Sequence, residues 1–314
     1  MALIKKEGLL LGNYNAEVLT YEPEGPPNDL HVVIIPGNPG MADFYRNFML
    51  EIIKRYPTVP ISTISHAGHT NGIGYDSGTF ITTRGVFSLQ DQMDHKLKFL
   101  EHLQTQHKQN NENQKLSENQ IRFILIGHSV GGYICMKMRL AKKYPIVQVI
   151  NLFSTFQYLY EGLAPTIQWL IQPGLRNFAA MLSGFVPLSW KRYLVREYST
   201  GLCEETQNIV ASGFNRYSVL NNVLYMAKTE GIEIREIDPE LIKPFESTLF
   251  IYGTSDRYTP MTQINQFRVE YPEANVVMAP DECTHAFCVN PKESVIVANL
   301  VIEYFDSHGP LSDI

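Results

Sequence analysis

Residues 123–133 read FILIGHSVGGY. An apolar run rich in Ile and Leu enters a glycine-flanked turn, and an apolar-periodic stretch, GGYICMKMRLAKKY, leaves it. Gly127-His128-Ser129-Val130-Gly131 fits G-x-S-x-G, a sharp strand-to-helix turn that exposes the serine oxygen. Glycines two residues to either side of Ser129 carry no Cβ, so strand and helix can approach closely around a strained serine. By composition the bare pattern arises in about one chain in ten of this size. Its setting therefore carries the weight: a strand before and a helix after. That setting makes Ser129 a candidate nucleophile rather than a serine in an ordinary tight turn.

Outward from this turn, strands and helices alternate. LHVVIIPG (30–37) is a short continuous β-branched run closed by Pro-Gly, as expected of a strand buried on both faces of a parallel sheet. FYRNFMLEIIKRY (44–56) has helical period, with Phe44, Phe48, Ile52 and Ile53 on one face. VPISTIS (59–65) is the next strand. LQDQMDHKLKFLEHLQ (89–104) is a helix with Leu89, Met93, Leu97, Leu100 and Leu103 as its inner stripe. The polar run KQNNENQKLSENQ (108–120) reads as a solvated loop, and IVQVINLF (146–153) as a strand. Ahead of all these, GLLLGNYNAEVLTYEP (8–23) reads as a hairpin turning at Gly-Asn.

The alternation predicts an α/β fold, a mostly parallel sheet flanked by helices. It breaks at about residue 158 and resumes at the strand STLFIYG (247–253). A helix (260–271), the strand ANVVMA (274–279) and the helix SVIVANLVIEYF (294–305) follow. The simplest organisation is a core of residues 1–157 and 244–314 with a helical cap, 158–243, inserted before the last two strands.

A serine hydroxyl needs an adjacent base. In this kind of elbow the partners follow in the order Ser, Asp or Glu, His. Only His285 and His308 lie downstream, and His308 sits in the terminal tail SHGPLSDI. His285, in the loop APDECTHAFCVNP after a strand, is the candidate base. The acid candidates are Asp256, Asp281 and Glu282. Asp281 and Glu282 are too close along the chain to approach the far nitrogen of His285. Asp256 follows a strand end in LFIYGTSDRYTP, and Thr259-Pro260 reads as the N-cap and N1 pair of the next helix, which frees Asp256 from capping. An oxyanion hole needs two backbone N–H groups. One would be that of Val130. The other would come from Gly37-Asn38-Pro39-Gly40, where Pro39 has no N–H and Asn38 is the best donor.

The remaining composition excludes other classes. The 314-residue chain is 44% apolar and 18% charged, with formal charge −6 and no basic block, so no nucleic acid partner is expected. The start MALIKKEGLLLGNYNAEV lacks the features of a signal peptide, and no run of about 18 apolar residues marks a membrane span. Cys135, Cys203, Cys283 and Cys288 are scattered, as free thiols of a reducing, cytosol-facing compartment are. His66 and His69 make at most half a metal site, and Cys283 is not on an elbow, so neither metal nor cofactor is expected.

PGNPG, GHSVGG, YGTSDRYTP and CTHAFC, in that order, resemble the lipid droplet-associated hydrolase family of the α/β-hydrolase superfamily. The resemblance spans essentially the whole chain. It implies Ser129 as nucleophile, Asp256 as acid and His285 as base. It further implies a serine lipase or esterase on lipid droplets and the endoplasmic reticulum, with sterol esters as the associated substrates. Residues 162–190, GLAPTIQWLIQPGLRNFAAMLSGFVPLSW, carry one charge, Arg176, and are broken by Pro165, Pro173 and Pro187. Leu175, Phe178, Ala179 and Leu182 form a stripe between Trp169 and Trp190, with Lys191, Arg192 and Arg196 beyond, placed to meet anionic lipid head groups. The residues fit either a cap packed over the site or an interfacial hairpin in a lipid monolayer, and the resemblance favours lipid contact. Three functions remain open: hydrolysis of a neutral-lipid ester, acyl transfer by the same residues, and a lipid-organising protein with little catalysis.

Overall fold

The structure is a computed structural model that describes residues 3–25, 28–69, 85–114, 120–198, 204–213 and 217–311. Strands β1 (Lys5–Leu11) and β2 (Tyr14–Tyr21) form the expected hairpin, turning at Gly12 with φ 64°. β3 (Leu30–Ile35), α1 (Arg46–Arg55), β4 (Ile61–Ile64), α2 (Leu89–Gln114), β5 (Arg122–His128), α3 (Val130–Leu140) and β6 (Ile146–Leu152) follow. Next come α4 (Leu159–Gly162), α5 (Pro165–Leu170), α6 (Pro173–Phe185), α7 (Leu188–Tyr198), α8 (Glu204–Gly213), α9 (Tyr217–Glu233) and α10 (Pro239–Ile242). β7 (Thr248–Tyr252), α11 (Met261–Glu270), β8 (Asn275–Met278) and α12 (Pro291–Ser307) complete the chain.

The eight strands form one sheet in the order β1-β2-β4-β3-β5-β6-β7-β8. Every neighbouring pair from β4 to β8 is parallel, and β2 joins β4 antiparallel. Side chains alternate along each strand, so the continuous apolar runs fill two cores. Val32, Ile34, Ile124 and Ile126 face α1 and α12, while Val33, Ile35, Phe123 and Leu125 face α2 and α3.

Two local expectations are corrected. The run 108–120 is not a loop from its start, because α2 continues to Gln114. Asn111, one turn beyond His107, donates to its Nε2 at 3.0 Å, and both are buried, so polar residues here line an inner helix face. The rest of that run, 115–119, lies outside the described residues. Thr259-Pro260 is not an N-cap and N1 pair. Pro260 is itself the N-cap position, extended at ψ 154°, and α11 starts at Met261. The Thr259 hydroxyl instead faces that of Thr155 at 3.5 Å. Between β6 and β7 the described residues are helical, with α6 packed on α9.

Four chain segments meet at the carboxyl ends of parallel strands, where α/β sheets build their sites. They are the loop after β3, the turn after β5, and the loops after β7 and β8. The β5 turn is the tightest. A Cβ on Gly127 would come within 2.5 Å of the Gly132 backbone, and one on Gly131 would strike the backbone carbonyls of Ile35 and Pro36. Gly131→Val therefore forces β3 and α3 apart. We expect it to destabilise the fold by about 1–3 kcal/mol, read as a lowered urea midpoint. An unchanged midpoint would show that the close approach is dispensable.

Candidate active site

Ser129 holds φ 54° and ψ −125°, a strained conformation for a residue with a Cβ, and has no side-chain capping bond to α3. It is half-buried and so open to a reactant. His285 arrives from the loop after β8 and Asp256 from the loop after β7. The structure brings these three predicted residues together. His285 Nε2 lies 3.0 Å from Ser129 Oγ, and its Nδ1 lies 2.7 Å from Asp256 Oδ2. The Asp256 side chain is fully buried, while His285 stays 20% exposed. An Nδ1–H donated to Asp256 leaves Nε2 as the acceptor for the serine hydroxyl, the arrangement needed to take its proton.

The rejected candidates are placed elsewhere. Asp281 accepts from the Thr254 hydroxyl at 2.8 Å, and His308 stacks on Tyr304 at the end of α12. Asp256 also spends its second oxygen, Oδ1, on the Tyr258 N–H at 2.8 Å, which fixes the carboxylate plane. Tyr258 then lays its ring 4.6 Å from the His285 ring. The His285 loop is braced by Glu293, which accepts from both the N–H and the hydroxyl of Thr284 at 2.8 Å.

The loop after β3 packs against the nucleophile: a Cβ on Gly37 would sit 2.9 Å from Ser129 Cβ. Its backbone donors can be accounted for one by one. Gly37 N–H donates to the Tyr45 hydroxyl at 3.0 Å, and Gly40 N–H donates to His69 Nδ1 at 3.1 Å. Pro39 has none. Among the described residues, no hydrogen bond uses the N–H of Asn38 or of Val130. Both predicted oxyanion donors are therefore unspent.

His66 and His69 are buried behind this loop. His69 is pushed down to about 3 by burial, with the Lys96 charge adding to the effect, so it stays a neutral acceptor for Gly40. Among the described residues no group of three or more His, Cys, Asp or Glu is placed to hold a metal. Cys283 and Cys288 are buried free thiols pushed up by desolvation, and Cys203 lies outside the described residues.

A model of the family described as lipid-droplet associated hydrolase matches residues 28–288. The chain is 32% identical to the lipid droplet-associated hydrolase of Dictyostelium discoideum over 308 residues, 93% of each chain. It is 28% identical to that of Homo sapiens, covering 90% of each. The chain belongs to the lipid-droplet associated hydrolase family.

Solved structures give the fold. A 2-hydroxy-6-oxo-6-phenylhexa-2,4-dienoate hydrolase from Rhodococcus sp. superposes with a TM-score of 0.65 at 14% identity, covering 98% of this chain and 100% of that one. E-2-(acetamidomethylene)succinate hydrolase gives 0.63 at 14% identity, covering 97% and 100%. Like them, this lipid-droplet associated hydrolase family member has the α/β-hydrolase fold.

Sequence reasoning passed over His128 and Tyr45. His128 Nε2 donates to the His285 carbonyl at 2.8 Å, and the Tyr45 hydroxyl donates to His128 Nδ1 at 2.6 Å. With the Gly37 bond, a one-directional chain runs from the loop after β3 to the backbone of His285. Burial, reinforced by neighbouring His285, pushes His128 down to about 3, which keeps it neutral, and the His285 carbonyl, which can only accept, fixes the proton on Nε2. The available signal was a polar residue ending an otherwise apolar strand, which must find partners when buried. Tyr45→Phe removes the hydroxyl, orphans the Gly37 N–H and leaves His128 Nδ1 with only the weak Cys288 thiol at 3.9 Å. We expect a loss of about 1–3 kcal/mol in urea unfolding; no loss would mean the relay contributes nothing.

Proposed function

We propose that this family member is a serine hydrolase that cleaves neutral-lipid esters at a lipid surface. The observation that carries this reading is the hydrogen-bonded path Asp256–His285–Ser129. Ser129 Oγ attacks the ester carbonyl carbon as His285 Nε2 takes its proton. The carbonyl oxygen gains charge between the Val130 and Asn38 N–H groups, each worth about 3 kcal/mol to such a transition state. Collapse breaks the bond to the alcohol, which leaves with the proton from His285. Water, deprotonated by His285, then attacks the acyl carbon, and the proton returns to Ser129 Oγ as the acid departs.

The helical insertion, which we read as a cap over residues 158–243, supports this location. On α6, Phe178, Met181, Leu182 and Phe185 face outward, Phe185 at 72% exposure, continuous in sequence with Trp190 at 64% on α7. Arg176, the sole charge of 162–190, is turned inward, where Nε donates to Asn221 at 2.7 Å and the guanidinium covers the Tyr225 ring. An apolar helix face turned to solvent, with its cation buried, suits the boundary of a lipid monolayer. Lys191, expected at lipid head groups, is instead buried and donates to the Ser183 carbonyl at 2.6 Å. Its ammonium is spent on an amide oxygen at the end of α6. Arg192 is exposed, and the side chain of Arg196 lies outside the described residues. No described helix is long and apolar enough to cross a membrane. We assign the surface to lipid droplets or the endoplasmic reticulum, with sterol esters as the first substrates to assay.

The same apolar face supports a second reading, a lipid-organising protein with little catalysis, because it does not depend on Ser129. Labelling by a fluorophosphonate separates the two. We expect wild type to label and Ser129→Ala not to; equal labelling of both would end the catalytic reading. The Phe178→Asp/Phe185→Asp double variant should lose at least about tenfold in affinity for triolein droplets, since burying each ring contributes roughly 1.5–3 kcal/mol. Unchanged droplet binding would remove α6 from the lipid contact.

A further inference from the structure

α9 of the helical insertion carries Glu230, a buried carboxyl that plays no part in the path from Asp256 to Ser129. It reaches the loop after β3: Asn38 Nδ2 donates to Glu230 Oε1 at 3.1 Å and to the Val223 carbonyl at 3.0 Å. Val223 and Glu230 are two turns apart, so one amide grips one face of α9 at two points. The neighbours of Asn38 are held by the core, Gly37 by Tyr45 and Gly40 by His69 and His66. Asn38 is held through its side chain by the insertion. Its backbone N–H, unspent and beside Ser129, takes its direction from that grip.

We infer that Glu230 is a positioning residue: by anchoring the Asn38 amide to α9 it aims the Asn38 N–H at the oxyanion, so that the insertion completes the oxyanion hole. This rests on the reading of Ser129 as nucleophile and of Asn38 and Val130 as the donors. α9 also holds α6 through Arg176, Asn221 and Tyr225, so one helix joins the exposed apolar face to the oxyanion loop.

The chemical form of Glu230 supplies a signature that a merely space-filling residue lacks. Burial pushes its carboxyl up to about 8; Glu233 on the same helix adds to this, and the Asn38 bond opposes it. The groups facing it are the neutral Asn38 amide from the loop after β3, and Tyr258 from the loop after β7 with Asp256 and Arg257 at its sides. Glu233 in turn faces Lys137 on α3. Among the described residues no cation hydrogen-bonds Glu230. Below the usual carboxylate value of 4.5 the proton is bound in both folded and unfolded chains. As pH rises towards 8 the unfolded chain releases it and the folded chain does not, so stability falls over that window. Above it the charge strengthens the single bond from Asn38, but that bond does not offset the cost of burying a carboxylate without a cation, so water enters the contact and α9 shifts against the loop that carries Asn38.

The test is the rate at which a fluorophosphonate labels Ser129 in the purified full chain, resolved into noncovalent affinity and the bond-forming rate constant. Glu230→Gln keeps the acceptor for Asn38 and removes the titration; Glu230→Leu removes both. At pH 7 we expect Glu230→Gln to react within about twofold of wild type. Glu230→Leu should react about tenfold slower or worse, with affinity unchanged, since losing one oxyanion donor outright costs about a hundredfold or more. Wild type should lose bond-forming rate above pH 8, and Glu230→Gln should hold its rate to pH 9.5. A Glu230→Leu rate equal to wild type overturns the inference. So does an alkaline decline shared by wild type and Glu230→Gln, which decides the matter if Glu230→Leu does not fold. If Ser129→Ala labels as wild type does, the nucleophile reading fails and this inference with it. If Ser129 alone labels and the Glu230 variants follow wild type, only this inference fails.

Discussion

The backbone at Ser129 sits at φ 54° and ψ −125°, a conformation that costs on the order of 1–3 kcal/mol and persists only where packing forbids relaxation. That packing is the close approach of β5, α3 and the end of β3, and a Cβ at Gly127 or Gly131 would collide with it, while one at Gly132 would strike Ser154 just past β6. The sheet positions everything else around this turn. Parallel strands deliver Asp256 and His285 from β7 and β8 on one side of the serine, and the loop 37–40 from β3 on the other. The strain at one residue is thereby converted into a serine oxygen held 3.0 Å from His285 Nε2.

Around that centre a set of polar groups braces the loops against one another. Tyr45 and His128 tie the β3 loop to the backbone of His285, Asp256 divides its oxygens between His285 and Tyr258, and Glu293 braces the loop that carries His285. The N–H groups of Asn38 and Val130 remain unspent, and an acyl transfer would use both. The helical insertion shows the opposite economy on its outer side, with Arg176 and Lys191 buried on internal partners and large apolar side chains left in solvent. α9 lies between the two, holding α6 on one face and Asn38 on the other.

Much of this was legible in the chain. Strands such as LHVVII and FILIG declare themselves because a parallel sheet buries both faces. The partners of Ser129 were found because only two histidines follow it, and because strand ends are where such residues cluster. The rest was hidden for physical reasons. Tyr45 and His128 are 83 residues apart, and Asn38 and Glu230 are 192 apart, so no local period marks them. Lys191 reads as a lipid-facing cation because charge at an apolar boundary usually faces out, and its partner is the carbonyl end of α6. The end of α2 reads as a loop because the run is wholly polar and rich in Asn, a weak helix former, and the His107–Asn111 pair that holds it is visible only once the helix is built.

The central claim is that Ser129 becomes covalently acylated with His285 as its base. Brief incubation of the protein with a sterol or glycerol ester, an acid quench and peptide mass mapping tests this directly. The account predicts an acyl group on the peptide containing Ser129 in wild type, none in Ser129→Ala, and severe loss in His285→Ala. Ester turnover that leaves Ser129 unmodified and survives in Ser129→Ala would contradict it.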